Sequence, residues 1–263
     1  MTDQPQYEYV VDLLRRFAPR WPPVVLDYGC GAGQVVQRAL ASGMDAHGVD
    51  VFYDGGALRD AAANSGLLGS RIRELDGDRI PWPARSVDLV VANMVFEHID
   101  AFEPALAEIA RVLKPGGVFL NLFPSRAVWR EGHVGLPFVH RFAKGDFGTR
   151  LRYAVALRRL GLGYNHGDKP VMSWAREALQ WIDRWTHYKP LAEIERSFAR
   201  HFDVTRMDED FLLGRLRHKP ALASLSSLAA SPKLAPLRRY VASRLATHVF
   251  VLTKRGDSTA AVG

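Results

Sequence analysis

The chain has 263 residues, of which 48% are hydrophobic and 24% are charged, a balance typical of a globular protein with one large core. Its single cysteine, Cys30, excludes an internal disulfide, and no apolar run reaches the ~20 residues that span a bilayer. The N-terminus lacks the basic and apolar pattern of a signal peptide, so we expect a cytoplasmic protein. The net charge of +7 is compatible with an anionic partner, but charge reports on association rather than on fold.

Short apolar strands alternate with helix-like segments over the first 123 residues. Each predicted strand is continuously apolar, which is typical of parallel strands that are covered on both faces. The helices show apolar residues at helical spacing and end near glycine or proline. This alternation predicts an α/β fold with a parallel sheet. In chain order we predict helices over 7–18, 34–42, 56–64 and 101–113, and strands over 24–26, 46–50, 71–75, 87–92 and 118–123.

The pattern changes after the fifth predicted strand. Residues 124–187 hold no convincing strand, and a connection of about 60 residues is far longer than an ordinary loop. We therefore predict a helical cap that is inserted after the fifth strand. The remaining predicted elements are helices near 147–160 and 174–186, a helix over 190–200, a strand over 202–209, a basic leucine-rich helical insertion over 211–246 and a last strand over 247–253.

The strongest signal is a glycine loop over 27–33 with the sequence DYGCGAG, directly after the first predicted strand. Glycines permit positive φ and a close approach of a ligand to the backbone, and the following helix offers unpaired N–H groups to an anion. The dinucleotide fingerprint requires its third glycine at the position of Gln34, which argues against NAD and FAD. A P-loop is also excluded, because no Gly-Lys-Ser/Thr follows.

This loop resembles the cofactor loop of class I methyltransferases, which depend on S-adenosylmethionine (SAM). Other segments resemble the same family in the same order: Asp50 at the end of the second strand, LDGDRIPWP over 75–83, SVDLVVANMVFEH over 86–98 and RVLKPGG over 111–117. The resemblance covers residues 24–123. It implies SAM as cofactor and a Rossmann-like, mostly parallel seven-stranded sheet flanked by helices.

The resemblance also implies the roles of individual acids. Asp27 would lie near the cationic methionine end of SAM, although it could merely cap the loop. Asp50 would accept hydrogen bonds from both ribose hydroxyls, although it could instead cap a helix. Asp76, rather than Asp78, would bind the adenine amino group. The predicted cofactor-binding residues are Asp27, Gly29, Cys30, Gly31, Asp50, Val51, Asp76, Gly77, Asn93 and Met94, with Cys30 as a small loop residue and not a nucleophile.

Histidines are the candidates for acid–base chemistry. Methyl transfer from a sulfonium is an in-line displacement in which the protein mainly positions the acceptor, but a hydroxyl acceptor also needs a general base. His98 follows the fourth strand, and His133 and His140 follow the fifth, where a Rossmann-like fold places its ligand crevice. We predict these three as catalytic, with His166 as a further candidate. Structural roles in helix capping or lid packing are the alternatives, and the sequence predicts no metal ligands.

The function predicted from these features is methyl transfer from SAM to a small-molecule or glycan/lipid-precursor acceptor, at oxygen because of the histidines. The acceptor would bind in the cap, 124–187. One alternative is an RNA- or protein-modifying methyltransferase, but the chain has no RNA-binding module, and the loop over 93–96 lacks prolines. Another is a non-catalytic SAM-binding interaction protein.

The chain as a whole, 1–263, is predicted to be one SAM-binding domain. Its insertion over 211–246 combines leucines with basic residues. Such a stretch favours packing on the cap or in a dimer interface, and it is also compatible with peripheral contact with an anionic membrane. The predicted partner is a small molecule rather than a nucleic acid, and the oligomeric state is left open.

Overall fold

The structure is a computed structural model that describes residues 4–53, 56–75, 77, 79–217, 229–245 and 247–255. Its strands are β1 (Val24–Tyr28), β2 (Asp45–Asp50), β3 (Ile72–Glu74), β4 (Val87–Asn93), β5 (Leu113–Pro124), β6 (Phe202–Arg206) and β7 (Thr247–Lys254). They form one seven-stranded sheet in the order β3-β2-β1-β4-β5-β7-β6. Only β7 runs antiparallel to its neighbours. The predicted mostly parallel α/β sheet is confirmed.

Helices cover both faces of this sheet. They are α1 (Gln4–Phe17), α2 (Gln34–Ala41), α3 (Gly56–Asn64), α4 (Phe102–Val112), α5 (Phe147–Arg159), α6 (Val171–Trp185), α7 (Leu191–Phe198), α8 (Asp208–Arg217) and α9 (Ala235–Leu245). Alternate residues of β4 show why its sequence is continuously apolar. Leu89 and Val91 join the core under α1, α2 and α8, whereas Val90 and Ala92 join the core under α4 and α7.

The predicted cap after the fifth strand is confirmed as a helical unit with its own core. Helices α5 and α6 pack together around Leu136, Val155, Trp174 and Leu179, all of which are buried. Arg150 of α5 is also buried, and its guanidinium contacts both carboxylate oxygens of Asp183 in α6 at 2.7 and 2.9 Å. Pairing compensates the burial of that charge.

Strand β5 begins earlier than the sequence predicts. Leu113 already pairs with Val87, and regular pairing resumes at Val118 after a shift in register. The Lys-Pro-Gly-Gly segment therefore forms an irregularity within the β4–β5 ladder, and the prediction that it precedes the strand was wrong. Gly117 is needed there, since a Cβ would lie 2.9 Å from the Lys114 carbonyl oxygen.

The second insertion contains helical structure at both of its ends. Helix α8 begins at Asp208, three residues before the predicted start, so the preceding strand ends at Arg206 and not at 209. Helix α9 leads into β7, and residues 218–228 and 246 lie outside the described residues. Within the described part of the chain, every helix is too short or too polar to cross a bilayer.

Candidate active site

The glycine loop lies at the carboxyl edge of the sheet, directly after β1. Gly29, Gly31 and Gly33 have φ values of +77°, +51° and +81°, a region that side-chain-bearing residues rarely adopt. Space also requires glycine at position 29, because a Cβ there would lie 2.5 Å from the side chain of Val95. Since Val95 belongs to the segment after β4, the ends of β1 and β4 meet closely at this edge.

Asp50 ends the neighbouring strand β2, and its carboxylate is fixed against the glycine loop. Oδ2 accepts a hydrogen bond from the Gly31 amide at 2.7 Å, and Oδ1 accepts one from the Phe52 amide at 2.6 Å. A carboxylate oxygen can accept more than one hydrogen bond. Both oxygens therefore fit the predicted role of accepting from two ribose hydroxyls.

Asp27 is buried beside Asp50 but is held differently. Its side chain has almost no exposed surface, and no described residue donates a hydrogen bond to its carboxylate. Burial, with the charge of Asp50 added, raises the pKa of Asp27 to about 8. A buried carboxylate without a partner is costly, and the positive methionine end of SAM would compensate it. The acids and the glycine loop therefore fit this cofactor.

The other predicted cofactor residues that the structure describes lie at or after the ends of β2, β3 and β4. Asn93, at the end of β4, accepts a hydrogen bond from Gln6 at 2.8 Å, and Met94 follows with a φ of +60°. Val51 is half-exposed after β2. Gly77 has a φ of +67°, whereas the adjacent Asp76 and its alternative Asp78 lie outside the described residues.

Cys30 belongs to the buried part of the loop. Burial and the nearby carboxylates of Asp27 and Asp50 raise the pKa of its thiol well above the ordinary value. A nucleophilic cysteine requires a stabilised thiolate, so this environment favours the predicted role as a loop residue.

Two of the three predicted catalytic histidines meet beside this edge. A short turn, Phe96–His98, follows β4 and brings His98 against His133 of the cap, with ring centroids 5.0 Å apart. Nδ1 of His133 lies 2.7 Å from Oε1 of Glu131. Together with the adjacent Glu97, these residues form what we call the Glu/His cluster: Glu97, His98, Glu131 and His133.

Burial sets the ionisation of this cluster. It raises the pKa of Glu97 to about 8 and lowers the pKa of His98 to about 4. Glu131 is fully buried, which alone would raise its pKa, but hydrogen bonds from His133, Val134 and Tyr188 outweigh burial and lower it. At neutral pH, His98 is therefore neutral and Glu131 is ionised.

His140, the third predicted catalytic histidine, does not join the cluster. Its Nε2 lies 3.1 Å from the carbonyl oxygen of Arg126, and its ring packs on Tyr188 with centroids 5.0 Å apart. Tyr188 in turn donates its hydroxyl to Glu131 at 2.9 Å. The contact between His140 and the cluster is thus indirect.

A cavity of about 1260 Å³ lies in the cap and includes His133 of the cluster in its wall. His133 lies on its wall beside three aromatic side chains of the cap, which are Tyr164, Trp174 and Trp181. Gln6 of α1 also lines it and donates to Asn93 at the end of β4. A large pocket with apolar walls and a few polar groups is the usual form of a small-molecule site. His166 lies on the same wall, away from the cluster.

The two carboxylates of the cluster were missed in the sequence. Glu97 is adjacent to His98, and Glu131 precedes His133 by two residues. A search for acids beside each candidate histidine would have found both. No local pattern predicts Tyr188, because its contact with Glu131 depends on how the end of the cap folds back.

Known proteins resemble this chain in sequence and in fold. A family model described as a methyltransferase domain matches residues 26–121. An uncharacterized methyltransferase of Mycobacterium tuberculosis is 28% identical over 78% of this chain and 78% of its own. The malonyl-[acyl-carrier protein] O-methyltransferase 1 of Coxiella burnetii is 29% identical over 50% of this chain and 47% of its own. Like the Coxiella protein, several curated relatives are matched over only about half of their length.

A solved SAM-dependent methyltransferase from Mesorhizobium loti has the same fold. It superposes with a TM-score of 0.53 over 92% of this chain and 96% of its own, at 16% sequence identity. The fold is thus that of known SAM-dependent methyltransferases, and residues 26–121, which include the glycine loop and Asp50, match a methyltransferase domain. Its cofactor is SAM.

Proposed function

We propose that the protein transfers a methyl group from SAM to an oxygen atom of a small-molecule or glycan/lipid-precursor acceptor bound in the cap cavity. One observation carries this proposal. His133 of the Glu/His cluster lines the cavity, and Gln6, which also lines it, donates a hydrogen bond to Asn93 at the cofactor edge. One acid–base group therefore lines the acceptor space, and one hydrogen bond connects that space to the cofactor edge.

Bound SAM supplies an electrophilic methyl carbon and a neutral leaving group. The glycine loop and Asp50 would hold it at the sheet edge, and the Asp27 carboxylate would compensate its positive charge. The cap then positions the acceptor, and holding two reactants in line lowers the barrier by as much as ~7–11 kcal/mol. For this, the aromatic wall of Tyr164, Trp174 and Trp181 offers flat apolar contact surface.

A hydroxyl acceptor must also lose its proton. In His98, Nδ1 lies 2.6 Å from the carbonyl oxygen of Trp185, which can only accept a hydrogen bond, so Nδ1 carries the proton. In His133, the Glu131 carboxylate holds Nδ1 in the same way. Each ring therefore has Nε2 as its unprotonated nitrogen. Because burial makes His98 a weak base, we assign acceptor deprotonation to His133, which lines the cavity and has the His98 ring against it. We assign a positioning role to His140, through Tyr188.

We infer that the acceptor binds in the cap, 124–187, and that the protein acts in the cytoplasm. Peripheral membrane contact through 211–246 also stays a prediction, because residues 218–228 and 246 lie outside the described residues.

Labelled methyl transfer to a panel of small acceptors tests the proposal. Matched hydroxyl, carboxyl, amine and carbon-acid compounds are incubated with SAM, and the methylated atom is identified. We expect oxygen products, and we expect His133→Asn to lower kcat by about 10²–10⁴-fold. His201→Asn is the control, since His201 pairs with Glu103 on the surface, away from the cavity. Exclusive methylation of nitrogen, carbon or RNA would contradict the proposal.

A further inference from the structure

Three atoms that can ligate a metal meet within the Glu/His cluster. One such atom from each of Glu97, His98 and His133 lies within 4.8 Å of the other two. Nε2 of His98 is 4.0 Å from Oε1 of Glu97. Two imidazoles and one carboxylate form a ligand set of catalytic zinc sites, which keep a further position open for water or substrate.

The two imidazole rings are oriented as metal ligands are. Histidines that bind metals donate their other ring N–H to a carbonyl or a carboxylate. His98 does this with the Trp185 carbonyl at 2.6 Å, and His133 does it with Glu131 at 2.7 Å. Glu131 accepts four hydrogen bonds, from two backbone amides, from His133 Nδ1 and from the Tyr188 hydroxyl. These bonds fix Glu131 as the acceptor for Nδ1 of His133. Because Nδ1 of each ring is engaged in this way, Nε2 is the ligand atom of each ring.

The side chain of Glu97 lacks a partner that a cation would supply. It is 2% exposed, and its Oε2 has no hydrogen-bond partner among the residues that the structure describes. A buried polar atom left unpaired costs about 1–3 kcal/mol. The other oxygen of the same carboxylate, Oε1, lies 4.0 Å from Nε2 of His98. A positive ion between this carboxylate and the imidazole would satisfy Oε2.

We propose that Glu97, His98 and His133 bind a divalent transition-metal cation of the zinc type beside the cap cavity, which His133 lines. Magnesium and calcium prefer all-oxygen sites, whereas imidazole nitrogen favours zinc and its neighbours. Bonds of about 2.0–2.2 Å require the three ligand atoms to approach one another slightly. Glu131 and the Trp185 carbonyl are the outer partners that orient the rings.

The role of this cation rests on the proposed function, although the site itself does not. A divalent cation beside an acceptor hydroxyl lowers the pKa of that hydroxyl. His133 would then act as a ligand, and the cation would replace it as the group that makes deprotonation possible. The position of His133 on the cavity wall gives an acceptor access to the open coordination position.

Zinc binding to the full chain tests the site without any acceptor. The purified protein is stripped with a chelator and titrated with Zn²⁺ by calorimetry, and Co²⁺ absorption reports the ligand geometry. We expect one equivalent of tightly bound Zn²⁺ and cobalt bands of a four-coordinate site. Glu97→Gln, His98→Gln and His133→Gln should each weaken binding by about 100-fold or more, and Glu131→Gln by about 10–100-fold.

His201→Gln is the matched control, because His201 also pairs with a carboxylate, Glu103, at 2.7 Å. Among the described residues, no third ligand joins that pair, so Zn²⁺ affinity should not change. Retained SAM binding shows that each variant is folded. If Glu97→Gln does not fold, the site is tested with His133→Gln, because the His133 side chain is 27% exposed and its replacement disturbs the core less.

If the wild type binds no equivalent of Zn²⁺ tightly, the proposed metal site is wrong. It is also wrong if Zn²⁺ binds tightly but the three ligand variants leave its affinity unchanged. The outcome is independent of the proposed function. Zinc binding without methyl transfer to any acceptor would leave the site and remove its role. SAM-dependent oxygen methylation by the zinc-free protein would leave the proposed function and remove the role of the cation in it, and failure of the wild type to bind Zn²⁺ would remove the site.

Discussion

At the scale of single residues, Asp27 and Asp50 are two buried carboxylates at one edge that differ in their hydrogen bonds. Asp50 accepts two amide hydrogen bonds from its own loop and from the glycine loop. Asp27 accepts none from the described residues. The first carboxylate is organised before the cofactor arrives, whereas the second is paired only when a cation lies beside it.

This difference predicts that SAM affinity depends on pH. Burial, with the charge of Asp50, raises the pKa of Asp27 to about 8, so the free protein holds a proton there at neutral pH. The positive ligand favours the ionised form, and binding therefore releases that proton. Affinity should rise by up to about tenfold per pH unit below pH 8 and level off above it.

Calorimetry at pH 6, 7 and 8, in buffers of different ionisation enthalpy, measures both the affinity and the released proton. Asp27→Asn should bind SAM more weakly at pH 8 and should lose the proton release. The neighbouring titratable thiol, Cys30, stays protonated because its pKa is raised. Wild-type affinity that is flat from pH 6 to pH 8 would contradict this account of Asp27.

At the scale of elements, the strands are joined at the amino edge of the sheet by Asp88 of β4. Its carboxylate accepts hydrogen bonds from the Val24 amide at 2.8 Å, from Arg20 at 2.9 Å and from Lys114 at 2.7 Å. It thus ties β4 to the start of β1 and to the irregular start of β5. This edge is opposite to the glycine loop, so its charges act on stability.

Asp88→Ala should lower the free energy of unfolding by about 1–3 kcal/mol, because the Val24 amide, Arg20 and Lys114 lose the acceptor that the buried Asp88 carboxylate provides. Urea denaturation at pH 7 measures this loss. Burial alone would raise the pKa of Asp88, but hydrogen bonds from Lys114 and Val24 outweigh it and lower the pKa. The stabilisation is therefore present at neutral pH and is lost as the pH falls below about 4.

Asp12→Ala is the control for this loss. Asp12 pairs with Arg15 on the exposed face of α1, and its side chain is 69% exposed. Removing an exposed pair costs about 0–1 kcal/mol. Equal effects of Asp12→Ala and Asp88→Ala would show that the amino edge is not held as described.

Much of the sheet and of the cofactor edge could be predicted because the signals are local. A strand buried on both faces must be apolar throughout, as β4 is, and Asp50 lies at a fixed distance in sequence from the glycines. The start of β5 was misplaced because a proline–glycine segment usually ends an element, whereas here pairing of Leu113 with Val87 continues the strand around it.

The Glu/His cluster could be predicted only in part. Its members come from the turn after β4 and from the cap, and they meet because α6 packs over that turn. The rings of Trp181 and His133 lie 4.7 Å apart, and those of Trp185 and Tyr53 lie 4.6 Å apart. Such contacts depend on tertiary packing, so the sequence could suggest His98 and His133 separately but not their meeting.

At the scale of the whole molecule, the two edges of the sheet have different roles, ligand binding at the carboxyl edge and stability at the amino edge. Strand β2 carries an aspartate at each end, which provides a comparison within one element. Asp50 contacts the glycine loop at the carboxyl end, whereas Asp45 pairs with Arg71 at the amino end. Parallel α/β sheets bind their ligands at the carboxyl ends of the strands, so the two aspartates should differ sharply in function.

Calorimetric titration of SAM into the wild type, Asp50→Ala and Asp45→Ala is the most direct measurement. The account predicts one SAM per chain, with affinity about 10–100-fold weaker in Asp50→Ala because charge-assisted hydrogen bonds are lost. Asp45→Ala should bind as the wild type does. No binding of SAM to the wild type, or equal binding by all three proteins, would contradict a SAM site at the carboxyl edge of this sheet.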